Sequence, residues 1–323
     1  MELSYKLANL SLHFDESFPS GIYQTWKWKI DPWCRNNDAA ENEKSVVRIS
    51  SVSPLARKML VDNADKEIGL ALPMIFAGRS GFFEQRVFHL SDGGTRWDYV
   101  RLQGNQLQLR FKVNRDWDHI VLLEDHTGTN GTAAFEYLAQ IMPGVCLEKQ
   151  MLTFHAAFLE YNNKGKRYGI GICAPSGTGK TTHARLWRDN KEALILNGDR
   201  LICSPSVFSD MNEQNQNRDF SRHWIGYGSP WSGTSGEQIN RSVPLRALVV
   251  LERGDHNETT HLSGLKAFGA VLPHVLYPSW DREKAEQAID LLTQFLTDIP
   301  VIRLRCLPDV ESVDVLFRAL ENL

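Results

Sequence analysis

The chain carries no strong excess of charge of either sign. Its 36 Lys and Arg nearly balance 39 Asp and Glu, leaving a net charge of −3. Nucleic acids and anionic membrane surfaces are recognised by clustered basic excess, so that balance argues against both as partners. No apolar run approaches the length of a membrane span. The opening Met-Glu-Leu-Ser-Tyr-Lys lacks the basic and apolar regions of a secretory signal, and the expectation is a cytoplasmic protein. Cysteine is sparse. Cys34, Cys146, Cys173, Cys203 and Cys306 are scattered with no CxxC pair, which speaks against a disulfide framework and for reduced thiols, several on buried strands. His119 and His126 have no Cys or His partner at ligand spacing and read as strand-end and loop histidines rather than zinc ligands. Internal repeats and low-complexity tracts are missing too. What remains is a globular composition, 42% hydrophobic over 323 residues, long enough for two domains.

The stretch that organises the chain is Gly-Ile-Cys-Ala-Pro-Ser-Gly-Thr-Gly-Lys-Thr-Thr, residues 171–182. Tyr168, Ile170 and Ile172 alternate with small residues, as on a buried strand. Pro175, Gly177 and Gly179 break that strand, and Thr181 through Trp187 read as the start of a helix. Strand, glycine loop, Lys-Thr and helix together form the context of a phosphate-binding loop. Glycines let successive backbone N–H groups converge on an anion, and the helix N-terminus adds partial positive charge. The pattern implies ATP and Mg²⁺. Ser176, Gly177, Thr178, Gly179, Lys180, Thr181 and Thr182 would cradle the nucleotide, with Lys180 on the β- and γ-phosphates and the Thr181 hydroxyl on the metal.

Around this loop the sequence predicts two domains. Residues 1–128 look β-rich, with alternating segments at Leu10–Phe14, Ile22–Ile30, Ser45–Ile49, Tyr99–Leu102, Leu107–Phe111 and His119–Leu123. Gly93-Gly94 and Gly104-Asn105 mark turns. Trp26, Trp28 and Trp33 read as a small aromatic core rather than a ligand face. The break at Gly128–Gly131 places a boundary there, and residues 129–323 form the second, α/β domain with a mixed sheet. Thr132 caps a helix from Ala133 to about Ile141, which Pro143-Gly144 ends or kinks. A strand at 152–161, a hairpin loop at 162–166 and a second strand then lead into the glycine loop. Further strands are expected at 193–197, 200–203, 223–227, 245–251 and 300–306. Helices are expected at 263–271, 281–296 and 310–320, with Ser263 and Asp281 as caps, and a polar surface loop at 205–222.

Phosphoryl transfer needs a phosphate cradle, a metal, a group that orients or deprotonates the acceptor, and positive charge at the transferred group. Asp199, just past a short apolar strand, is the leading candidate for base or Mg²⁺ ligand, against a bland role in an Asx-type turn after Gly198. Glu252 ends the most apolar strand and is a candidate base or metal-shell residue, or a turn residue paired with Arg253. His155 lies on the strand before the loop strand and is a catalytic candidate that alone would read as a core histidine. Arg185 and Arg282 are candidate phosphate or acceptor contacts, against solvated or ion-paired helix positions. The glycine-rich loop at 226–233 is read as able to close over a substrate, with Trp231 as a cover that excludes water or, alternatively, as a core residue.

These residues resemble the HPr kinase and PEP carboxykinase group of phosphate-loop proteins. Ser-Gly-Thr-Gly-Lys-Thr-Thr at 176–182 is similar to the carboxykinase ATP loop, and the His155 strand followed by a hairpin into the loop is similar to HPr kinase. Residues 173–200, Ser229–Gly233 and Val243–Leu248 resemble the short HPr-kinase-related proteins, some of which phosphorylate a serine of a precursor peptide, as lasso-peptide kinases do. The resemblance spans about residues 150–320. It implies the mixed-sheet nucleotide domain of that group and a kinase acting on a hydroxyl of a peptide, protein or small metabolite. Homo-oligomerisation is compatible with it. HPr kinases usually carry two adjacent aspartates, one as base and one near Mg²⁺, where this chain has Gly198-Asp199-Arg200; Asp199 inherits either role, and the second carboxylate is missing or supplied from elsewhere in the chain. That departure keeps open a nucleotide-binding regulator or assembly protein without phosphoryl transfer. Carboxykinase-like activity ranks third, because the substrate and Mn²⁺ residues of that family have no counterparts in the sequence.

Overall fold

A computed structural model describes residues 3–8, 10–15, 17–18, 46–51, 74–175, 177–207 and 222–323. The expected strand at 22–30, Trp26, Trp28, Trp33, Ser176 and most of the polar loop lie outside the described residues. The described chain is mixed α/β and forms two compact units, Met1–Glu148 and Lys149–Leu323.

Among the described residues the first unit is an eight-stranded sheet and one α-helix. Its strands are β1 (Leu3–Leu7), β2 (Leu10–Phe14), β3 (Val46–Ser51), β4 (Met74–Ser80), β5 (Phe83–His89), β6 (Thr95–Arg101), β7 (Gln106–Val113) and β8 (His119–Asp125), in the spatial order β1-β2-β3-β8-β7-β6-β5-β4. β3 runs parallel to both neighbours, and the other pairs are antiparallel. β1, β4 and β5 are strands that sequence alternation does not single out. Helix α1 (Thr132–Glu148) extends well past the expected end near Ile141. Gly144 explains part of this: a Cβ there would lie 2.2 Å from the Trp117 ring, so the glycine is a socket for an indole rather than a stop signal. Pro143 is tolerated because Ile141, Met142, Val145 and Cys146 around it are all buried. Phe135 faces Phe14, and Tyr137 stacks on Phe111 at 5.6 Å. Those contacts bind α1 to the first sheet, and the division between units therefore falls at 148/149 rather than 128/129.

The second unit begins with the long strand β9 (Leu152–Asn163), which turns at Lys164-Gly165 into β10 (Lys166–Cys173). The glycine loop follows, then helix α2 (Lys180–Lys191), β11 (Leu194–Asn197), β12 (Arg200–Val207), β13 (Arg222–Tyr227) and β14 (Ser242–Arg253). The chain ends with β15 (Glu258–Leu262), α3 (Gly264–Val271), β16 (Val275–Leu276), α4 (Arg282–Asp298), β17 (Val301–Cys306) and α5 (Val310–Glu321). Asp281 caps α4 by accepting from the Lys284 N–H, while Ser263 makes no side-chain cap to α3.

Strand pairing in this unit closes on itself. β9 bonds β12 through residues 152–155 and β10 through 156–163. β14 bonds β13 through Ser242–Pro244, then β10 in parallel through Leu245–Val250, then β17 in parallel. β10, β9, β12, β13 and β14 thus form a ring. Its interior is tight: a Cβ on Gly169, Gly171 or Gly226 would fall within 2.7 Å of Phe158 or Leu201 side-chain atoms. On the far side of β10 and β14, Trp187 of α2 and Val313, Leu316 and Leu320 of α5 close a separate core. Strands β10 and β14 are therefore covered on both faces, as parallel-paired strands require. This packing holds the end of β10, where Cys173 and Ala174 are fully buried, as a rigid base for the glycine loop.

Candidate functional site

The loop between β10 and α2 turns through Gly177 (φ +76°) and Gly179 (φ +121°), conformations that favour glycine. A Cβ on either would meet nothing within 4 Å, so the backbone faces open space. α2 starts at Lys180, directly after Gly179, so its free N–H groups point toward that space. The Lys180 ammonium is buried and donates to the Ala174 carbonyl at 2.7 Å. Burial lowers its pKa below the ordinary lysine value, while the charges of Asp199 and Cys173 pull the other way. From the end of β14, Arg253 donates to the Gly177 carbonyl at 2.7 Å.

Asp199 is presented to the same space by the corner between β11 and β12. Asn197, fully buried, shapes that corner. Its Oδ1 accepts from the Asp199 and Arg200 N–H groups at 2.8 and 2.6 Å. Its Nδ2 donates to the Ser229 and Trp231 carbonyls at 2.8 and 3.2 Å, which ties the second glycine-rich loop to the corner. Trp231 is only 2% exposed and is a core residue, so the cover role does not hold for it. Gly198 and Gly233 allow close approach: a Cβ on Gly198 would meet Ser235 Oγ at 2.0 Å, and one on Gly233 would meet the Asp199 side chain at 2.9 Å. Pairing of β12 with β9 sets Arg200 opposite His155. The Asp199 carboxylate then lies 3.3 Å from His155 Nε2 and 3.6 Å from Arg200 Nε. Burial would raise its pKa, but the His155 hydrogen bond and the charges of Arg200, His155 and Lys180 outweigh that and hold it below the usual carboxylate value.

Two cavities flank the glycine loop, and both are lined by Gly177, Gly179 and Thr182. One, of about 330 Å³, brings together His155, Lys180, Thr181, Asp199, Ser232 and Ser235. The other, of about 420 Å³, holds Thr178, His183, Glu252, Arg253 and Cys306. The fold therefore gathers His155, Lys180, Thr181 and Asp199 and leaves Glu252 on the opposite side of the loop. Arg253 bonds the loop, Arg185 is exposed on α2, and Arg282 pairs with Glu286 along α4. Asn197, Arg253, Ser232 and Ser235 are site residues that sequence reasoning missed. Asn197 had a local signal, since Asn-Gly-Asp after an apolar strand is an Asx-turn pattern. The others depend on which strand ends meet. His274 is a further case. It is buried directly before Val275, which pairs with Phe154, and burial together with the charges of His155 and Lys180 lowers its pKa.

The arrangement suits a phosphate-bearing ligand. Backbone N–H groups and Lys180 supply positive potential, and the Thr181 hydroxyl and the ionised Asp199 offer oxygen ligands in one cavity. Mg²⁺ is commonly held by one or two such protein oxygens together with phosphate oxygens. Among the described residues, no three His, Cys, Asp or Glu side chains gather into a self-sufficient metal site. Neither protein-family models nor curated proteins give a match to this chain.

Proposed function

We propose that the chain is an ATP-dependent phosphotransferase that moves the γ-phosphoryl group of ATP to a hydroxyl, with a serine of a peptide or protein, or a small metabolite, as acceptor. The observation that carries this reading is the convergence of Lys180, Thr181, Asp199 and His155 on one cavity beside the glycine loop. Gly177 to Thr182 would hold the phosphates, with Lys180 leaving the Ala174 carbonyl for them. Thr181 and Asp199 would hold Mg²⁺, which neutralises charge on the phosphate oxygens. Asp199 would also take the acceptor's proton as the acceptor oxygen bonds to phosphorus and the bond to ADP breaks. His155, bonded to the same carboxylate, would keep it oriented.

One observation favours a second reading. Arg200 stands beside Asp199 where HPr kinases have a second aspartate, and a carboxylate held at low pKa is a good metal ligand but a weak base. A protein that binds ATP·Mg²⁺ without transferring phosphate is the form this reading takes. Radiolabelled ATP offered with free serine, serine peptides and small phosphocarrier proteins decides between them. Transfer to any of these is the expected result. Asp199→Asn should then cut turnover by about 10²–10⁴-fold, as loss of a positioned acid–base group does, while nucleotide binding persists. Lys180→Ala should weaken both. Tight ATP binding with no transfer to any acceptor establishes the second reading, and unchanged ATP binding in Lys180→Ala sinks both.

A further inference from the structure

We propose that the first unit carries a peptide-binding site, in the cavity between α1 and the β5–β7 part of the sheet. Naming its ligand as a segment of the acceptor peptide rests on the phosphotransferase reading. The site itself rests on the cavity. Its volume, about 720 Å³, falls within the range of ligand pockets.

The reason the gap stays open is chemical. Ala133, Glu136, Tyr137 and Gln140 line it, and their i, i+3, i+4, i+7 spacing makes them one stripe of the helix. A helix stripe that faces a sheet is ordinarily apolar. Here half of it is a carboxylate and an amide, and the opposing strands contribute Gln85 and Gln108. Closing the gap would take a carboxylate and three amides out of water, at a desolvation cost for each.

The floor is aromatic. Phe83 stacks on Tyr99 at 4.8 Å and 15°, and Tyr99 meets Tyr137 at 4.8 Å. The Tyr137 hydroxyl is buried with no hydrogen-bond partner among the described residues. Aromatic rings, the Tyr99 and Tyr137 planes tilted by 50° to each other, beside primary amides match a peptide. The Gln85 and Gln140 amides each offer a donor and an acceptor to a peptide group, and the rings receive an apolar or aromatic side chain. Arg101 and Glu136, of opposite sign at the same cavity, disfavour a polyanion.

The test uses the full chain, immobilised without nucleotide, and a dye-labelled pool of random pentadecapeptides that each contain a serine. The expected result is enrichment of peptides sharing an aromatic or large apolar residue. Gln85→Ala/Gln140→Ala should weaken an enriched peptide about tenfold or more, the worth of two hydrogen bonds. Ala133→Trp should block binding by filling the cavity. The double variant changes only exposed or half-exposed side chains and should melt as the wild type does, so it decides the matter if Ala133→Trp folds poorly. No enrichment, or enrichment indifferent to the double variant, overturns the site. Phosphate transfer to free serine without peptide capture overturns this site alone. Peptide capture without any transfer leaves the site standing and counts against the kinase reading.

Discussion

His183 shows how one residue can set the acid sensitivity of the second unit. It lies on α2 with 2% exposure, and neither ring nitrogen finds a hydrogen-bond partner among the described residues. Burial lowers its pKa to about 4, with the nearby Asp309 charge pulling weakly upward. Between that value and about 6.5, the unfolded chain binds a proton that the folded chain refuses. Stability from the neutral ring is complete above about pH 6.5 and is lost as pH falls, to a total of about 3 kcal/mol near pH 4. Urea unfolding of wild type and His183→Leu at pH 7 and pH 4 isolates this effect, because other titrating groups cancel between the two proteins. The wild type should lose about 3 kcal/mol more than the variant. Equal losses would mean that His183 titrates normally in the folded protein. Nothing local in the sequence announces this residue, since its neighbours Leu251, Cys306 and Pro308 come from strand ends far along the chain. Lys180, Thr181 and Asp199 were legible as neighbours of one cavity for the opposite reason: their placement follows from short-range geometry, a glycine loop before a helix and a corner after a strand. Glu252 has the same local signature as Asp199 and still lies on the other side of the loop, because strand ends that look alike in sequence can face different cavities.

At the scale of the element, the closed ring of β10, β9, β12, β13 and β14 makes a demand that individual strands do not. Its interior admits Phe158 and Leu201 only where facing positions have no side chain, and Gly169, Gly171 and Gly226 provide this. At Gly226 a Cβ would lie 2.5 Å from the rigid Phe158 ring. Gly226→Ala should therefore destabilise the second unit by about 1–3 kcal/mol, the range for overpacking a full core. Gly269, on α3 with nothing within 4 Å of its Cβ position, is the matched control. Gly269→Ala should stabilise by up to about 1 kcal/mol through helix propensity. Denaturant midpoints of the two variants should move in opposite directions, and a neutral Gly226→Ala would mean that the ring has slack. Strands and helices with strong periodicity were legible to within a few residues, as at β7, β17 and α5. The failures have a common cause. α1 was cut short because Pro143-Gly144 reads as a terminator, whereas the bulk of Trp117 and the apolar residues around Pro143 decide otherwise. Local signals say where an element can end, and tertiary packing decides whether it does.

For the whole molecule, the relevant division is between two units with separate cores. The sequence break at Gly128–Gly131 is a loop inside the first unit, because the helix after it belongs to the sheet before it, as the contacts of Phe135, Tyr137 and Gly144 reveal. The division also makes ligand binding a local matter. All residues proposed to hold the nucleotide lie between His155 and Ser235, within the second unit. A ligand that binds the folded form alone stabilises what it binds by about 2.7 kcal/mol at a hundred times its dissociation constant. For a unit of this size, each kcal/mol moves the melting temperature by about 2–4 °C. ATP·Mg²⁺ at that level should therefore raise the transition of residues 149–323 by roughly 5–11 °C and leave that of residues 74–148 in place. Hydrogen exchange followed by peptide mass spectrometry along a temperature ramp assigns each transition to its residues. Lys180→Ala should remove most of the shift. A shift confined to the first unit would place the nucleotide away from the glycine loop. Equal shifts in both would show that the two cores melt as one, with nucleotide energy spread across the boundary at Glu148.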